Sequence, residues 1–260
     1  MKTKSIHYDN NINVYVMSDI HGNYDKFHKM LDKINFSEND KLIILGDIID
    51  RGPDGIKLIL EISGMDNVKY LGGNHEKMMI ESLYMMMANN DPDILEEEIM
   101  LYLDNWCNRN GGDVTWNEYK LLSYEDTNIV NNAILQSLHD LSLHVVIGNN
   151  SYFLTHAFPS NDKNKTYCDP WKRPTVHEIN NIDTILKQVM GPNYIEGTKA
   201  ITGHTPVLYY HDAKNYEDGY HLGMYQKGNF FDIDCGCPYT DLETSRLLCL
   251  RLNDMKEFYV

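Results

Sequence analysis

The stretch KLIILGDIIDRG, residues 41–52, decides the fold that this sequence predicts. Its first half is a short apolar run of the kind found in buried β-strands. Its second half is a polar loop with two glycines that carries Asp47, Asp50 and Arg51. In open α/β sheets, ligands bind beyond the carboxyl ends of such strands. We therefore expect a core strand that delivers these three side chains to a functional site.

The same rhythm recurs at four other places along the chain. Apolar runs end in polar loops as NVYVM into SDIHGN, VKYL into GGNHE, SYFL into THAF and KAI into TGHT. Amphipathic segments at 24–34 and 54–62 separate the first three loops and predict helices. Asp19, Asp47 and Asn74 follow one another at intervals of 28 and 27 residues, close to the roughly 30 residues of a βαβ unit. The spacing predicts parallel strands, with the candidate ligands at their carboxyl ends.

A change of pattern from about residue 77 to residue 141 predicts a helical insertion over one side of the sheet. It contains a Met-rich stretch at 78–87, an acidic run at 96–98 and a helical segment at 128–141. We interpret the methionines as core filler and the acidic run as a solvated helix face. Beyond the insertion, FFDID and RLLCLRL predict closing strands, the second antiparallel and at the far side of the sheet.

Length and composition favour a single domain, residues 1–260, and restrict its partners. No repeat or Pro/Ser-rich linker divides the 260 residues, which suffice for a substantial core. With 38 acidic and 23 basic residues and a net charge of −15, the protein as a whole should be repelled by nucleic acids and anionic membranes. The N-terminus has no signal-like apolar region and no stretch is long enough to span a bilayer, so we expect a soluble, cytoplasmic protein. Five cysteines, an odd number, predict reduced thiols.

The polar loops contain the oxygen and imidazole ligands that divalent cations need, and no thiolate lies among them. These candidate metal ligands are Asp19, His21, Asp47, Asn74, His156 and His204. Each motif alone is weak, because a D-x-H is common by chance and a histidine beside a strand is more often a core residue. Five motifs in order, each at the end of a predicted strand, indicate a metal site strongly.

The order SDIHG, GDIIDRG, GNHE, THA and TGHT resembles that of the calcineurin-like metallophosphoesterases. GDIIDRG followed by GNHE resembles in particular their phosphoprotein-phosphatase branch. That branch includes serine/threonine protein phosphatases, the bacteriophage lambda phosphatase and symmetrical diadenosine tetraphosphatases. The resemblance implies an α/β fold of the metallophosphoesterase type, a β-sandwich flanked by helices, with two metals at the sandwich edge. The alternation of strands and helices is compatible with that fold but does not by itself predict two sheets.

The resemblance also implies how the ligands are shared between two divalent metal ions. Asp19 and His21 would hold the first ion together with Asp47, and Asp47 would bridge to a second ion held by the remaining ligands, Asn74, His156 and His204. A hydroxide bridging the two ions would be the nucleophile, since two cations lower the pKa of a shared water. Mixed nitrogen and oxygen ligands suit manganese, iron, zinc or cobalt. We expect manganese to support activity in vitro.

Proton transfer and phosphate binding take further residues from the same motifs. By resemblance, His75 is the acid that protonates the leaving group and Asp50 orients it. Arg51 supplies a planar fork for two phosphate oxygens, with Asn74 beside it. Arg173, in DPWKR, resembles the second phosphate-binding arginine of lambda-type enzymes. The segment NWCNRNGGDVT resembles bacterial members and either places Asn110 or Arg109 near the site or forms only a turn at its two glycines.

These residues predict a metal-dependent phosphomonoesterase acting on phosphoserine and phosphothreonine, with phosphotyrosine as a further substrate. The closest alternative keeps the chemistry and hydrolyses symmetrical dinucleoside tetraphosphates or other nucleotides. An inactive phosphate-binding regulatory module is disfavoured because every ligand, acid and clamp position is filled. A nuclease is disfavoured by the acidic balance and by the lack of a Lys/Arg stripe. The expected partner is thus a phosphorylated protein or a small phosphoester, and neither nucleic acid nor membrane.

Overall fold

The computed structural model describes residues 3–88, 95–160, 168–210, 223–239 and 245–260. Within them the chain forms two β-sheets and eight α-helices. The strands, in chain order, are β1 (Lys4–Tyr8), β2 (Val14–Met17), β3 (Lys41–Ile44), β4 (Val68–Tyr70), β5 (Ser142–Ile147), β6 (Asn150–Thr155), β7 (Lys199–Thr202), β8 (Tyr225–Lys227), β9 (Phe230–Asp232), β10 (Leu248–Arg251) and β11 (Lys256–Tyr259). The helices are α1 (Tyr24–Ile34), α2 (Gly55–Ser63), α3 (Asn74–Met87), α4 (Glu96–Leu103), α5 (Asp113–Tyr119), α6 (Tyr124–His139), α7 (Val176–Asn180) and α8 (Ile182–Met190).

The two sheets pack face to face, as the resemblance implied. One sheet has the strand order β11-β10-β2-β3-β4 and the other β1-β5-β6-β7-β9-β8. Val14 and Val16 of β2 belong to a buried cluster that includes Leu154 of β6, so these side chains lie between the sheets. Tyr15 and Met17, on the opposite face of β2, pack in the cluster that also contains residues of α1, α2 and α3. The two-residue period of a strand thus separates a sandwich core from a helix-covered face.

The second sheet is covered on its outer face by α7 and α8. Alternate side chains of β6 and β7 point away from the sandwich core. Among them, Phe153 and Ala200 pack with Ile182 and Leu186 in a third buried cluster. The resulting order of layers is helix, sheet, sheet, helix. Four of the strands that lead into the motif loops, β2, β3, β6 and β7, are therefore mostly buried on both faces, which explains why they read as continuous apolar runs. The edge strand β4 is only partly buried.

The parallel strands end at one edge of the sandwich. β2, β3 and β4 are parallel neighbours, and β6, β7 and β9 are parallel neighbours in the other sheet. The helix predicted at 24–34 matches α1, and the one predicted at 54–62 matches α2 within one residue. These alignments confirm the predicted βαβ arrangement and explain the near-equal spacing of the first three motifs.

The C-terminal strands differ from the prediction in their place. FFDID contains β9 as predicted, and β10 is antiparallel to β2 as predicted. The predicted position of β10 at the far side of the sheet is wrong, because it pairs with β2 on one side and with β11 on the other. The short strand β11, not predicted, takes the edge instead.

The segment between β4 and β5 is helical, as the change of pattern predicted. Among the described residues it contains α3, α4, a π-helical turn at Asp104–Arg109, α5 and α6. Met78 and Met79 are core filler as predicted, whereas Met87 is exposed. The acidic run at 96–98 is solvated. None of the described helices is long and apolar enough to cross a membrane, and all five cysteines are free thiols.

Candidate metal centre and phosphate cleft

The motif loops meet around a cleft of about 170 Å³ at the edge of the sandwich. It is lined by Asp19, Asp47, Arg51, Asn74, His75, Asn110, Trp171, Arg173, His204, Pro206 and Tyr239. His21 and His156 lie directly behind this surface, His21 within 3.1 Å of the Arg51 guanidinium and His156 within 2.9 Å of Asn74. All ten side chains that the sequence placed in the site are therefore brought together.

The backbone of these loops adopts conformations that are rare for residues with side chains. Eight non-glycine residues in the described chain have a positive φ, and six of them carry motif side chains. These six are Asp19, His21, Asp47, Asp50, Arg51 and His204. Such residues cost about 1–3 kcal/mol each and persist only where the surrounding structure enforces them. The local strain is thus concentrated at the cleft.

Glu76 enforces part of this backbone and was not identified from the sequence. It is fully buried, three residues into α3, and its carboxylate accepts three backbone N–H bonds. Oε2 accepts from Asp47 N at 2.9 Å and from Gly73 N at 2.8 Å, while Oε1 accepts from Ile48 N at 2.8 Å. A Cβ at Gly73 would overlap the Asp47 carboxylate, so the two loops approach at backbone distance. The signal available in the sequence was an acid at the third position of a helix, which favours capping.

Two groups of side chains have ligand atoms within 4.8 Å of one another, a spacing suited to metal binding. One consists of His21, Asp47 and His75, and the other of Asp47, His156 and His204. Asp47 belongs to both groups, consistent with the expected bridging position. Asp19 belongs to neither, and its Oδ2 accepts hydrogen bonds from the Ser18 hydroxyl at 2.5 Å and from His204 N at 2.9 Å. The first group thus contains His75 and not Asp19, and the place of Asp19 among the ligands stays a prediction.

Two of the buried histidines are held through Nδ1, which leaves the lone pair of Nε2 as the atom that can bind a ligand. His21 Nδ1 lies 2.9 Å from the Ile49 carbonyl, and His156 Nδ1 lies 2.9 Å from the Leu45 carbonyl. A carbonyl only accepts, so each Nδ1 carries the proton and each Nε2 carries a lone pair. Burial lowers the pKa of both imidazoles, which keeps them neutral. Neutral imidazoles fixed through Nδ1 are the form that binds metal ions.

The contact between His156 and Asn74 tests whether a cation fits here. His156 Nε2 lies 2.9 Å from Asn74 Oδ1, although both atoms carry lone pairs when Nδ1 holds the proton. With this orientation of the Asn74 amide the two lone pairs repel each other, and a cation beside both atoms would relieve the repulsion. Asp47 Oδ1 is 3.5 Å from the same His156 nitrogen. These side chains offer imidazole nitrogens, carboxylate oxygens and an amide oxygen, with no thiolate among them. Such a set of ligand atoms fits a hard or borderline divalent metal ion.

His75 and Asp50 form a buried pair beside this group. His75 Nδ1 lies 2.7 Å from Asp50 Oδ2, and the Trp106 indole donates to the same oxygen at 3.0 Å. The Asp50 backbone N–H donates to the Thr115 hydroxyl at 2.9 Å. Burial raises the pKa of Asp50 to about 7, and the bonds from Thr115 and Trp106 act against that rise. Trp106 and Thr115 come from the helical insertion, so the insertion completes the environment of this pair.

Two arginines line the cleft, and a third does not reach it. The Arg51 guanidinium lies 3.1 Å from His21 Nε2 and 3.1 Å from His75 Nε2. Arg173 stands 5.4 Å from the centre of the Tyr209 ring and borders the cleft near His204. Arg109 points away and pairs with Asp104 at 2.7 Å on the exposed surface. In the segment NWCNRNGGDVT it is thus Asn110 that lines the cleft, and the Gly111 carbonyl also accepts a bond from Arg51 N at 2.8 Å.

Besides Glu76, a pair of buried acids was not identified from the sequence. Asp232 and Asp234 were treated only as parts of a closing strand, yet both are buried, and burial raises the pKa of each well above its usual range. Repulsion from Asp19 raises the pKa of Asp234 further. Two acids alternating in a buried strand were the signal that could have drawn attention to them.

Comparison with known proteins identifies the architecture. The family model of the calcineurin-like phosphoesterases matches residues 12–230, most of the chain. A symmetrical bis(5'-nucleosyl)-tetraphosphatase of Erwinia tasmaniensis is 30% identical over 105 residues, which span 38% of this chain and 38% of that protein. The curated relative is thus matched over less than half of its length.

Solved structures resemble this chain over almost all of its length. A protein serine/threonine phosphatase from Saccharomyces cerevisiae aligns with a TM-score of 0.55 and 16% identity, covering 100% of this chain and 83% of that one. A cold-active protein tyrosine phosphatase aligns with a TM-score of 0.52 and 18% identity, covering 99% and 81%. At these identities the likeness establishes the fold alone.

Proposed function

The chain belongs to the calcineurin-like phosphoesterase family, a family of hydrolases of phosphoric esters, and on that basis we propose that it is a metal-dependent phosphomonoesterase acting on phosphoserine and phosphothreonine side chains. Phosphotyrosine is a further expected substrate. The observation that carries the proposal is that an arginine able to bind phosphate lies beside the histidine proposed as the proton donor. Arg51 contacts His75 directly, and Arg173 lines the same small cleft.

The cleft can hold two divalent cations through the residues already described. We assign Asp19, His21, Asp47, Asn74, His156 and His204 as their ligands, with Asp47 shared. When bound, divalent cations would supply Lewis acidity at the phosphate and lower the pKa of bound water. The role of His75 as an acid would depend on Asp50, which holds its ring through Nδ1.

Asp50 determines which His75 nitrogen can deliver a proton. Its carboxylate accepts from Nδ1 at 2.7 Å, so Nε2 faces the cleft beside Arg51. A proton on Nε2 would make the ring cationic, and the Asp50 carboxylate beside Nδ1 would stabilise that charge. In this structure Arg51 donates to Nε2, and burial followed by the Arg51 charge lowers the pKa of His75, so the ring is neutral. Bound phosphate would draw the Arg51 donors to its own oxygens, and Nε2 would then take up a proton from the attacking water and pass it to the leaving serine or threonine alkoxide.

Arg51 and Arg173 would hold the phosphate oxygens that do not react. A guanidinium presents parallel N–H donors that match two phosphate oxygens, and its charge does not change with pH. The Gly111 carbonyl fixes the Arg51 backbone, while Tyr209 stands beside Arg173. Asn74 and Asn110 offer neutral polar atoms at the same surface.

A second candidate function is hydrolysis of a dinucleoside tetraphosphate. It is favoured by Trp171 and Tyr239, two aromatic rings that line the cleft, since Trp171 remains 40% exposed and could stack on a base. Stacking of a base on an aromatic side chain contributes about 1–3 kcal/mol. The similarity to a symmetrical bis(5'-nucleosyl)-tetraphosphatase supports the same candidate.

One panel of substrates tests both functions. Phosphate release would be measured under manganese from phosphoserine, phosphothreonine and phosphotyrosine peptides, beside nucleotide release from diadenosine tetraphosphate. We expect kcat/KM to be highest for the phosphopeptides, and a Trp171→Ala variant to change it little. A preference for the dinucleotide of about tenfold or more, lost in Trp171→Ala, would instead support the second candidate. Absence of turnover with every substrate in metal-loaded protein would reject both.

A further inference from the structure

An apolar groove lies on the helical insertion, on a surface that the proposed reaction does not use. Its volume is about 450 Å³, and it is walled by three helices, α3, α5 and α6. The lining residues are Ile80, Leu83, Tyr84, Met86, Met87, Trp116, Tyr119, Asn131 and Leu135. All but Asn131 are apolar or aromatic. The groove therefore has the character of a binding surface for apolar side chains.

Exposed apolar side chains are concentrated on the helical insertion that carries this groove. Among the described residues, 14 large hydrophobic side chains are exposed, and 10 of them lie between positions 84 and 135. In the groove itself, Met87 is 84% exposed, Tyr84 67% and Leu135 52%. Scattered exposed apolar residues are ordinary, but three that line one groove mark an interaction surface. Methionines suit such a surface because their flexible side chains adapt to a partner.

The charge of the helical insertion as a whole indicates what kind of partner fits. Residues 77–141 contain 12 acidic and 3 basic side chains, so this quarter of the chain holds more than half of the net charge of −15. Glu96 and Glu97 are exposed in the first turn of α4, which begins beyond the Met87 end of α3. Lys120 is the basic group at the opposite wall, 5.4 Å from the Trp116 ring. A ligand of positive charge is attracted here.

We propose that this groove binds a basic amphipathic helix of a partner protein. The apolar face of such a helix presents side chains at i, i+3 or i+4 and i+7, which a groove between helices accepts. Its lysines and arginines would face the acidic helices of the insertion. A second copy of this chain is a poorer occupant, because pairing two insertions through the same surface brings two acidic surfaces together.

A synthetic peptide tests the proposal without any turnover measurement. The probe is a Leu/Lys peptide of about 18 residues, roughly five turns of helix, with its leucines on one face. The control peptide has the same composition with the leucines scattered around the helix. At about 0.15 M salt we expect saturable, equimolar binding of the first peptide by calorimetry, at least about tenfold tighter than the second. Trp116 lines the groove, so its fluorescence should change with the same affinity, and the change should vanish in Trp116→Phe.

Matched variants separate the groove from charge attraction alone. A Met87→Gln/Leu135→Gln protein removes apolar surface without adding charge and should weaken binding about tenfold or more. Leu121→Gln, at a residue 86% exposed but outside the groove lining, should bind as the parent does. Glu96→Gln/Glu97→Gln should reduce both affinity and its dependence on salt, whereas Glu38→Gln in a distant loop should not.

Three results would overturn the proposal. Equal affinity for the two peptides would mean that only charge is recognised. Unchanged binding in Met87→Gln/Leu135→Gln would place the peptide elsewhere. A concentration-dependent dimer of the free protein, seen by sedimentation and abolished in that double variant, would make a second copy the occupant of the groove.

Discussion

Asp50 Oδ2 lies 2.7 Å from His75 Nδ1, and the indole of Trp106 donates to the same oxygen at 3.0 Å. Asp50 and His75 stand 25 positions apart in the sequence and follow different strands, yet both are almost completely buried. Because the carboxylate holds Nδ1, only Nε2 can face a substrate. This relationship makes the contribution of His75 depend on the leaving group.

We therefore predict that His75→Asn affects poor leaving groups most. Removal of a general acid typically costs about 10²–10⁴-fold in rate. A phosphoserine peptide should show a loss in that range, whereas an aryl phosphate, whose phenolate leaves without protonation, should lose much less. The measurement is kcat for both substrates at saturating manganese, with metal content determined in parallel. Equal losses at unchanged metal content would mean that His75 is not the acid.

Metal removal should abolish activity reversibly. The candidate ligands are neutral imidazoles, an amide and carboxylates, which bind divalent ions but offer no nucleophile of their own. Dialysis against a chelator should remove hydrolysis of an aryl phosphate, and added manganese should restore it. Circular dichroism of the stripped protein serves as the control that the fold survives. Full activity in protein shown to be free of metal would contradict the proposed mechanism.

The sequence predicted the site better than it predicted the layers around it. Asp47 and Asn74 could be placed together because both follow β-strands at equal spacing, and a strand end fixes a side chain within a few ångströms. The sandwich was available only through the resemblance, because strands buried on both faces read as uniform apolar runs with no two-residue period. The local sequence of β10 does not indicate whether the strand has a neighbour on both sides or lies at the edge of the sheet.

Residues that act through the backbone were the ones missed. Glu76 follows two motif residues, yet only the folded loops bring the backbone N–H groups of Asp47 and Ile48 to its carboxylate. Trp106 reaches Asp50 across 56 positions, a contact that no periodicity encodes. By contrast, Asn110 was considered as one of three readings of its segment, and the structure places it, not Arg109, at the cleft.

Arg173 should behave as a phosphate clamp, in contrast to Arg109. Replacing Arg173 with Ala should reduce kcat/KM by at least about tenfold, or about 1.4 kcal/mol, with no change in metal content. Inhibition by inorganic phosphate should weaken as well, since the product presents the same oxygens. Arg51→Ala should show a larger effect, because that guanidinium also contacts His75.

Arg109→Ala is the matched control for this pair of variants. Arg109 pairs with Asp104 on the exposed surface, so its removal should leave both kcat/KM and phosphate inhibition unchanged. A normal rate and normal phosphate inhibition in Arg173→Ala, beside a clear loss in Arg51→Ala, would remove Arg173 from the clamp.

Glu76 should position Asp47 and thereby control metal affinity. Its two oxygens accept three backbone N–H bonds from Asp47, Ile48 and Gly73 in a fully buried site. Hydrogen bonds to a charged group contribute about 1.5–3 kcal/mol each, and an unpaired buried donor costs a similar amount. Glu76→Gln retains the shape but turns one acceptor into an NH₂ group that faces N–H donors. We expect the free energy of unfolding to fall by about 2–4 kcal/mol.

A loss of stability alone would not distinguish positioning from simple packing, so manganese affinity is the deciding measurement. It would be determined by calorimetry at a temperature where circular dichroism shows the variant to be folded. We expect a weakening of about tenfold or more, because a supporting residue around a metal ligand typically contributes 10–100-fold in affinity. Glu118→Gln is the control, since Glu118 also accepts a backbone N–H, from Ile56 at 3.2 Å, but lies outside the metal groups. If both variants lose stability and neither loses manganese affinity, Glu76 supports the fold without positioning Asp47.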